Sequence, residues 1–221
     1  GYVHNFAKEL EPKGYQHLSL IEDLNIAEAL GINGVVIHMG KVLGGDPTIA
    51  RAHFVNNMAA IVKATKHLRA KLLLENTAGQ GSEMGYLFSD LGQIFHAVQD
   101  KLGGDTRFGV CLDSEHSFAA GYDWTDAKNA EAGFEEFAKE IGFEHVQCVH
   151  FNDARPECGS RRDRHEDIGV GKIGTKGLKR FIELLNKHIS ASRRKPIPLL
   201  LETPEVAATY AEQIKTVRGW F

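Results

Sequence analysis

Five apolar segments of this 221-residue chain each end in a histidine or an acidic residue. These residues are His38, Glu75, Asp113, His150 and Glu202. The first four lie 37 or 38 residues apart, and the fifth follows after 52. A single polar residue at the end of an apolar segment is common where the chain leaves a core. Five such residues, all nitrogen or carboxylate oxygen donors, would suit Zn²⁺ at a catalytic site and also permit Mn²⁺ or Fe²⁺.

Two short motifs add potential ligands to this set. His116 lies three residues beyond the third segment end, and Asp163 and His165 lie two residues apart in a charged loop. If that loop is extended, Asp163 and His165 project to the same side. The chain thus offers four histidines and four carboxylates, enough for more than one metal ion. Asn76 and Asn152 lie close after two of the candidate ligands and are predicted to be hydrogen-bonding groups that support the ligand set.

The elements that must position these residues alternate along the chain. Short, continuous apolar runs, typical of parallel strands covered on both faces, lie at residues 34–38, 71–75, 108–113, 146–150 and 197–202. Segments with helical periodicity lie at residues 20–30, 54–68, 87–102, 129–141, 178–189 and 205–217. The alternation predicts an α/β fold with a parallel sheet. The carboxyl ends of such strands meet on one face, so we expect the candidate ligands to converge there.

Composition narrows the class of protein. With 43% hydrophobic and 25% charged residues, the chain is not of the disordered class, and a net charge of −3 gives no global basic field. We expect no membrane span and no signal peptide. The three cysteines have no CxxC spacing, which argues against disulfides and thiolate zinc sites and favours an intracellular compartment. Cys111 and Cys148 are predicted to be core residues. We predict a single domain over residues 1–221.

Four motifs, in order, resemble the signatures of the endonuclease IV family, the metal-dependent abasic-site endonucleases of base-excision repair. They occupy residues 75–81, 111–123, 150–154 and 159–165, within a resemblance that runs at least from residue 38 to 202. The resemblance implies a (β/α)8 TIM barrel with up to three Zn²⁺ ions, or Mn²⁺, at its carboxyl-end mouth. It also implies hydrolysis of the DNA phosphodiester 5′ to an abasic site by a metal-activated hydroxide. The products would be a 3′-hydroxyl and a 5′-deoxyribose phosphate.

The same resemblance assigns roles to individual residues. Glu75 would bridge two metal ions and be the catalytic carboxylate. His38 would belong to the first metal. Ligands of the second metal, besides Glu75, would be Asp113, His150 and Glu202. Ligands of the third would be His116, Asp163 and His165.

Contacts to DNA are predicted from a local basic loop and from two residues near the site. The loop contains Arg155, Arg161, Arg162, Arg164 and Lys172. Arg161 and Arg164 are predicted to contact phosphates. By resemblance, Tyr2 and Gln80 would enter the duplex and stabilise an extruded abasic nucleotide.

The sequence departs from the family pattern in two ways. Only about five of the eight strand–helix units of a closed barrel are evident, so we expect an N-terminally truncated barrel in which the first three strands are absent. The family's further histidine at the first metal would then precede Gly1. His4 is a candidate substitute, although its register does not match. Glu115 places a charge where the family usually has a small or neutral residue.

Taken together, these features predict an enzyme that acts on double-stranded DNA containing abasic sites. We expect a monomer if the barrel is complete, located in the cytoplasm of a prokaryote or in the nucleus or mitochondria of a eukaryote. One alternative is a metal-dependent sugar isomerase, which uses a similar barrel and similar ligands. The basic loop and the Asp163–His165 pair favour the nuclease. The other alternative is an inactive fragment that binds metal or DNA.

Overall fold

The structure, a computed structural model, describes residues 4–11, 13–192 and 196–221. Its helices in these ranges are α1 (Tyr15–Ala29), α2 (Pro47–Ala64), α3 (Phe88–Leu102), α4 (Ser114–Ala120), α5 (Ala127–Glu140), α6 (Gly174–Ser192) and α7 (Tyr210–Arg218). Its strands are β1 (Gly34–Ile37), β2 (Lys71–Glu75), β3 (Phe108–Asp113), β4 (Val146–His150), β5 (Asp153–Ala154), β6 (His165–Glu166) and β7 (Leu199–Leu200). None of these helices is long and apolar enough to cross a membrane.

The main sheet contains five strands in the order β1-β2-β3-β4-β7, and every neighbouring pair is parallel. This confirms the five predicted strands and the α/β class, and the alternation with helices is that of part of a (β/α)8 barrel. The register pairs Glu75 with Cys111 and Asp113 with His150. Strand-end residues that are far apart in sequence therefore lie side by side at one edge.

Apolar side chains on the helix-facing side of the sheet form the main core. Buried phenylalanines from four elements meet there: Phe95 stacks on Phe108, and Phe134 contacts Phe181 edge to face. Helices α3 and α5 approach closely at Gly92, where an added Cβ would lie 2.3 Å from a backbone carbonyl oxygen of α5. This packing holds the strands, and so the strand ends, in fixed positions.

The opposite face of the sheet carries a smaller apolar cluster of Leu73, Cys111 and Cys148, with Val36 packed against it. This confirms that Cys111 and Cys148 are buried core residues. The alternation of side chains along β2 places Leu73 and Glu75 on the same face. The acidic residue therefore lies directly above this cluster, toward the carboxyl edge.

Two elements depart from the sequence prediction. Helix α4 follows β3 without a loop, because Asp113 caps it by accepting a 2.7 Å hydrogen bond from the His116 backbone N–H. The loop predicted to be irregular contains β6, which pairs antiparallel with β5. Both elements lie at the carboxyl edge of the sheet and change where the side chains there point.

Candidate metal centre

A cleft of about 530 Å³ opens at the carboxyl edge of the parallel sheet. Its lining includes seven of the eight predicted ligands: His38, Glu75, His116, His150, Asp163, His165 and Glu202. The eighth, Asp113, is fully buried, and its Oδ2 lies 4.0 Å from Nδ1 of His150. The structure thus brings together in one place residues that span more than half of the chain.

Glu75 lies at the centre of this cleft. One carboxylate oxygen lies 2.7 Å from Nδ1 of His150, and the other lies 3.1 Å from Nε2 of His38. His116 approaches to 3.5 Å. Burial opposes ionisation, but the hydrogen bonds from His150 and His38 hold the pKa of Glu75 well below its usual value. Glu75 is therefore a carboxylate shared by three histidines, two at the ends of β1 and β4 and one on α4.

A second group surrounds His150. Potential ligand atoms of Glu75, Asp113, His150 and Glu202 all lie within 4.8 Å of one another. Nδ1 of His150 is 2.9 Å from a carboxylate oxygen of Glu202. Burial opposes protonation, yet the carboxylates of Glu202 and Glu75 raise the pKa of His150 to about 11. These carboxylates are stabilised by a positive charge close to them, and either a proton on His150 or a bound metal cation can supply it.

A third group contains two histidines whose ring orientation is fixed by hydrogen bonds to backbone carbonyls. Nδ1 of His116 donates to the carbonyl of Asn76 at 3.0 Å, and Nδ1 of His165 donates to the carbonyl of Glu202 at 3.1 Å. The Nε2 atoms therefore face the cleft, 3.6 and 3.7 Å from Oδ1 of Asp163. A backbone carbonyl on the far nitrogen is the usual support of a histidine that binds metal.

The hydrogen bonding of His116 and His165, and not only their residue type, fits a metal ion. Nε2 of His116 and Nε2 of His165 are buried and have no hydrogen-bond partner among the described residues. Burial opposes protonation of His116, but the Asp113 charge and other carboxylates raise its pKa well above the usual value. Buried ring nitrogens without a partner, next to carboxylates, are suitable ligands for a divalent cation.

Comparison with known proteins decides the family. The model of the family described as "Xylose isomerase-like TIM barrel" matches residues 2–218. The "Probable endonuclease 4" of Chlorobium phaeobacteroides is 38% identical over 202 residues, which is 91% of this chain and 66% of the relative. The "Apurinic-apyrimidinic endonuclease 1" of Saccharomyces cerevisiae is 34% identical over 209 residues, which is 94% of this chain and 53% of the relative.

A solved structure gives the same result. The endonuclease IV of Thermus thermophilus is 30% identical, with a TM-score of 0.78 that covers 100% of this chain and 73% of that one. This chain belongs to the endonuclease IV family. It spans between about half and two thirds of the length of the two curated relatives named above. The resemblance drawn from its motifs is thereby confirmed, as is the barrel fold.

Two asparagines beside the cleft hold the candidate acidic ligands in place. Nδ2 of Asn152 donates to Oδ2 of Asp113 at 2.8 Å, and its Oδ1 accepts the backbone N–H of Glu202 at 2.8 Å. Oδ1 of Asn76 accepts the backbone N–H of Asp113 at 2.8 Å. The predicted hydrogen-bonding role of both asparagines is seen in the structure. Each one locks neighbouring strand ends together.

Asp153 is a residue of the site region that sequence reasoning missed. It is fully buried and accepts five backbone N–H groups, at 2.8 to 3.2 Å. The donors are Ala154, Gly169, Gly171, Ile173 and Gly174. Asp153 therefore closes the loop that carries Asp163 and His165. Its place in the 150–154 motif, directly after Asn152, was the available signal.

The residues predicted to contact DNA occupy different environments. Nε of Arg161 donates to the carbonyl of Gly79 at 2.9 Å, and its guanidinium lies over the ring of Tyr86 at 4.2 Å. Gly79 has a φ of +77°, and a Cβ there would lie only 3.0 Å from Arg161 Nε, so the loop requires glycine. Arg164 lines the cleft and is exposed.

Gln80 links two loops beside the site: its Oε1 accepts the backbone N–H of Asp163 at 3.3 Å. Tyr2 lies outside the described residues. The basic loop is partly neutralised by its own glutamates, since Nε of Arg155 lies 3.0 Å from Glu166 and Nζ of Lys172 lies 2.6 Å from Glu157. The loop therefore presents less positive charge than its composition suggests.

Two further residues that the sequence left open can now be placed. His4 lies next to Ser19, with its Nε2 3.2 Å from the hydroxyl, and its ring packs against Tyr15. It belongs to none of the candidate ligand groups found among the described residues. Glu115 points into the site and is fully buried, and this burial, with the charge of Asp113, raises its pKa to about 7.

Proposed function

We propose that the protein is an abasic-site endonuclease that hydrolyses the DNA phosphodiester 5′ to the lesion, leaving a 3′-hydroxyl and a 5′-deoxyribose phosphate. The observation that carries the proposal is the cleft in which three groups of nitrogen and oxygen donors meet around Glu75. The names of the relatives and the two exposed arginines at the rim, Arg155 and Arg164, favour DNA as the substrate. A sugar isomerase would share the barrel, and the basic loop and the Asp163–His165 pair favour the nuclease instead.

We propose Zn²⁺ as the metal, with Mn²⁺ as the second candidate. His38 and Glu75 would hold one ion; Glu75, Asp113, His150 and Glu202 a second; His116, Asp163 and His165 a third. When bound in such a donor set, divalent ions lower the pKa of water and neutralise charge on a phosphoryl group. The donor set contains no sulfur, which suits a catalytic rather than a structural zinc site.

The side chains of the cleft have separate tasks in this reaction. Water adds to phosphorus, the bond from phosphorus to the 3′ oxygen breaks, and that oxygen takes a proton. Glu75, kept ionised by His38 and His150, fixes one negative charge at the centre of the cleft. Arg155 and Arg164 line its rim, where DNA phosphates would approach.

A duplex with one abasic site, labelled at its 5′ end, tests the proposal. Zinc-loaded protein is expected to cut once, directly 5′ to the lesion, and a polymerase is expected to extend the product from its 3′-hydroxyl. The intact duplex and the protein treated with chelator are the controls. Cleavage on the 3′ side, or no cleavage together with interconversion of aldoses and ketoses, would replace the endonuclease with a lyase or an isomerase.

A further inference from the structure

Glu115 is the second residue of helix α4 and lies between two of the proposed ligands in sequence. Its side chain is fully buried. Oε1 accepts the backbone N–H of Arg164 at 3.1 Å. Oε2 has no hydrogen-bond partner among the described residues, and it lies 3.9 Å from Nε2 of His165. One oxygen of this carboxylate is thus used by the loop, and the other faces the cleft.

A buried carboxylate oxygen without a partner is costly, because burial removes its hydration. Among the described residues, the ion pair found for Glu115 is the long one with His165, and no arginine or lysine side chain comes within ion-pair distance. Asp113, which is also fully buried, adds a second negative charge nearby. A cation between these groups would offset both charges, whereas a purely structural acidic residue would be expected to have both oxygens paired.

The geometry around Glu115 is that of a ligand set. Potential ligand atoms of Asp113, Glu115, His116 and His165 all lie within 4.8 Å of one another. Oε2 of Glu115 and the Nε2 atoms of His116 and His165 are buried together and lack hydrogen-bond partners among the described residues. Ligand atoms of a tetrahedral zinc site are ~3.3 Å apart. The 3.9 Å between Glu115 and His165 therefore needs only a small adjustment.

We propose that Glu115 is a further ligand of the third cation site, together with His116, Asp163 and His165. The inference rests on the proposed function, which places a cation at those three residues. Two histidines and two carboxylates would make the occupied site electrically neutral. Glu115 would also take a position that otherwise belongs to water or a phosphate oxygen. Because carboxylates are harder ligands than imidazole, the site would accept Mn²⁺ more readily than a site with one carboxylate.

A structural role for Glu115, holding Arg164 in place, predicts something different from a ligand role. Glu115→Gln keeps a carbonyl oxygen for the Arg164 N–H and removes only the negative charge. If the contact with Arg164 is all that matters, this variant retains normal cation binding. If Glu115 binds the cation, the variant weakens one cation per chain and leaves the others unchanged.

The test titrates the chelated protein with Co²⁺, and separately with Zn²⁺ and Mn²⁺, by calorimetry and by visible absorption of the cobalt form. Glu115→Gln is expected to lower the affinity of one cation about 10- to 100-fold or more, by analogy with losses at supporting residues. The cobalt spectrum is expected to change, because its intensity depends on the ligand number. Glu166→Gln is the control: it removes a carboxylate from the loop that packs on Glu115, one that pairs with Arg155 at 3.0 Å and does not line the cleft.

Two comparisons separate the failure of this inference from the failure of the proposed function. If His116→Ala loses a cation and Glu115→Gln behaves like wild type, the third site stands and Glu115 is not a ligand. If neither the wild type nor any variant holds a cation that depends on His116, both ideas are wrong. Should Glu115→Gln not fold, a structure of the wild type with Mn²⁺ decides: the anomalous peak must lie at about 2.0–2.2 Å from Oε2 of Glu115, a bonding distance for a carboxylate.

Discussion

The two ends of the parallel sheet each carry a cleft with histidines, yet they have different chemistry. The carboxyl end has the cleft of about 530 Å³ described above, and the amino end has one of about 370 Å³. At the amino end, Nε2 of His96 lies 3.0 Å from the carbonyl of Glu140, and Nζ of Lys71 donates to Gln147 at 2.6 Å. These polar groups have partners within the protein, although Oε1 of Gln99 has none among the described residues.

Protonation separates the two clefts further. At the amino end, burial lowers the pKa of His145, although the charge of Glu144 acts in the opposite direction. At the carboxyl end, burial also opposes protonation, but the carboxylates raise the pKa of His116 and His150. Histidines alone therefore do not mark a metal site. Convergent carboxylates do, together with ring nitrogens held from behind by backbone carbonyls.

The largest effect is expected from Glu75→Gln, which removes the shared carboxylate and keeps its shape. Cleavage of the abasic duplex should fall by several orders of magnitude, because the central charge that His38 and His150 both contact is lost. Binding to the duplex should persist, as a gel-shift measurement can show. Glu144→Gln, at the amino end, is the control and should cut normally. Near-normal turnover by Glu75→Gln at saturating metal would contradict the assigned role of Glu75.

Removal of metal should lower the free energy of unfolding and loosen the carboxyl end of the sheet more than the amino end. Bound ions at about a thousand times their dissociation constant stabilise by about 4 kcal/mol. For a chain of this size, such a loss lowers Tm by roughly 8–16 °C. Hydrogen exchange should then speed up at residues 163–165 and remain slow in the strands near the amino-end cleft. Equal loss of protection at both ends would show global rather than local loosening.

A third prediction concerns the loop anchored by Asp153. Asp153→Ala removes the acceptor of five backbone N–H groups, so Asp163 and His165 should lose their fixed position. We expect cation affinity at the third site and the cutting rate to fall about 10- to 100-fold. Asp126→Ala removes the cap of α5, which accepts from the Asn129 N–H at 2.9 Å, and is the control for stability alone. Equal cutting by both variants would make the loop anchor irrelevant.

The place of the residues at the carboxyl end of the sheet could largely be predicted from the sequence, for physical reasons. Continuous apolar runs predict parallel strands, and parallel strands place His38, Glu75 and His150 at one edge whatever the loops do. The helix after β3 could not be predicted in the same way. It begins because Asp113 turns back to cap it, and that cap sets which way Glu115 points. In a short helix, the direction in which each side chain points depends on the residue at which the helix begins.

The shape of the loop between β5 and α6 also could not be predicted from the local sequence pattern. Its shape depends on Asp153, whose partners lie up to 21 residues away in sequence, and on the contact of Arg161 with Tyr86. From the sequence, Arg155 and Lys172 belong to a basic loop that could contact DNA. In the structure, both form ion pairs with glutamates of the same loop. Charge in a loop can be counted from sequence, but its pairing requires the fold.

A smaller effect, on DNA binding, is expected from replacing Arg161 or Arg164, the two arginines predicted to contact DNA. Arg164→Ala should weaken binding to abasic and intact duplexes alike and reduce the slope of log affinity against log salt by about 0.9, the value for one phosphate contact. Arg161→Ala should also lower Tm, because it breaks the bond to Gly79 and the contact with Tyr86. An unchanged slope in Arg164→Ala would mean that this side chain is only solvated.

The smallest effect is expected at the amino end, from His96→Ala. This ring donates to the carbonyl of Glu140 at 3.0 Å and packs against Phe95, so its loss should cost roughly 0.5–1.5 kcal/mol of stability, the range for one hydrogen bond. Metal content and cutting rate should equal those of the wild type, because Glu144 is the one carboxylate among the described residues that line the amino-end cleft. Metal analysis, urea unfolding and the cutting assay on the same preparation check all three quantities. Loss of a metal ion in this variant would mean that the amino end of the sheet also affects cation binding, which would contradict the assignment of cation binding to the carboxyl end alone.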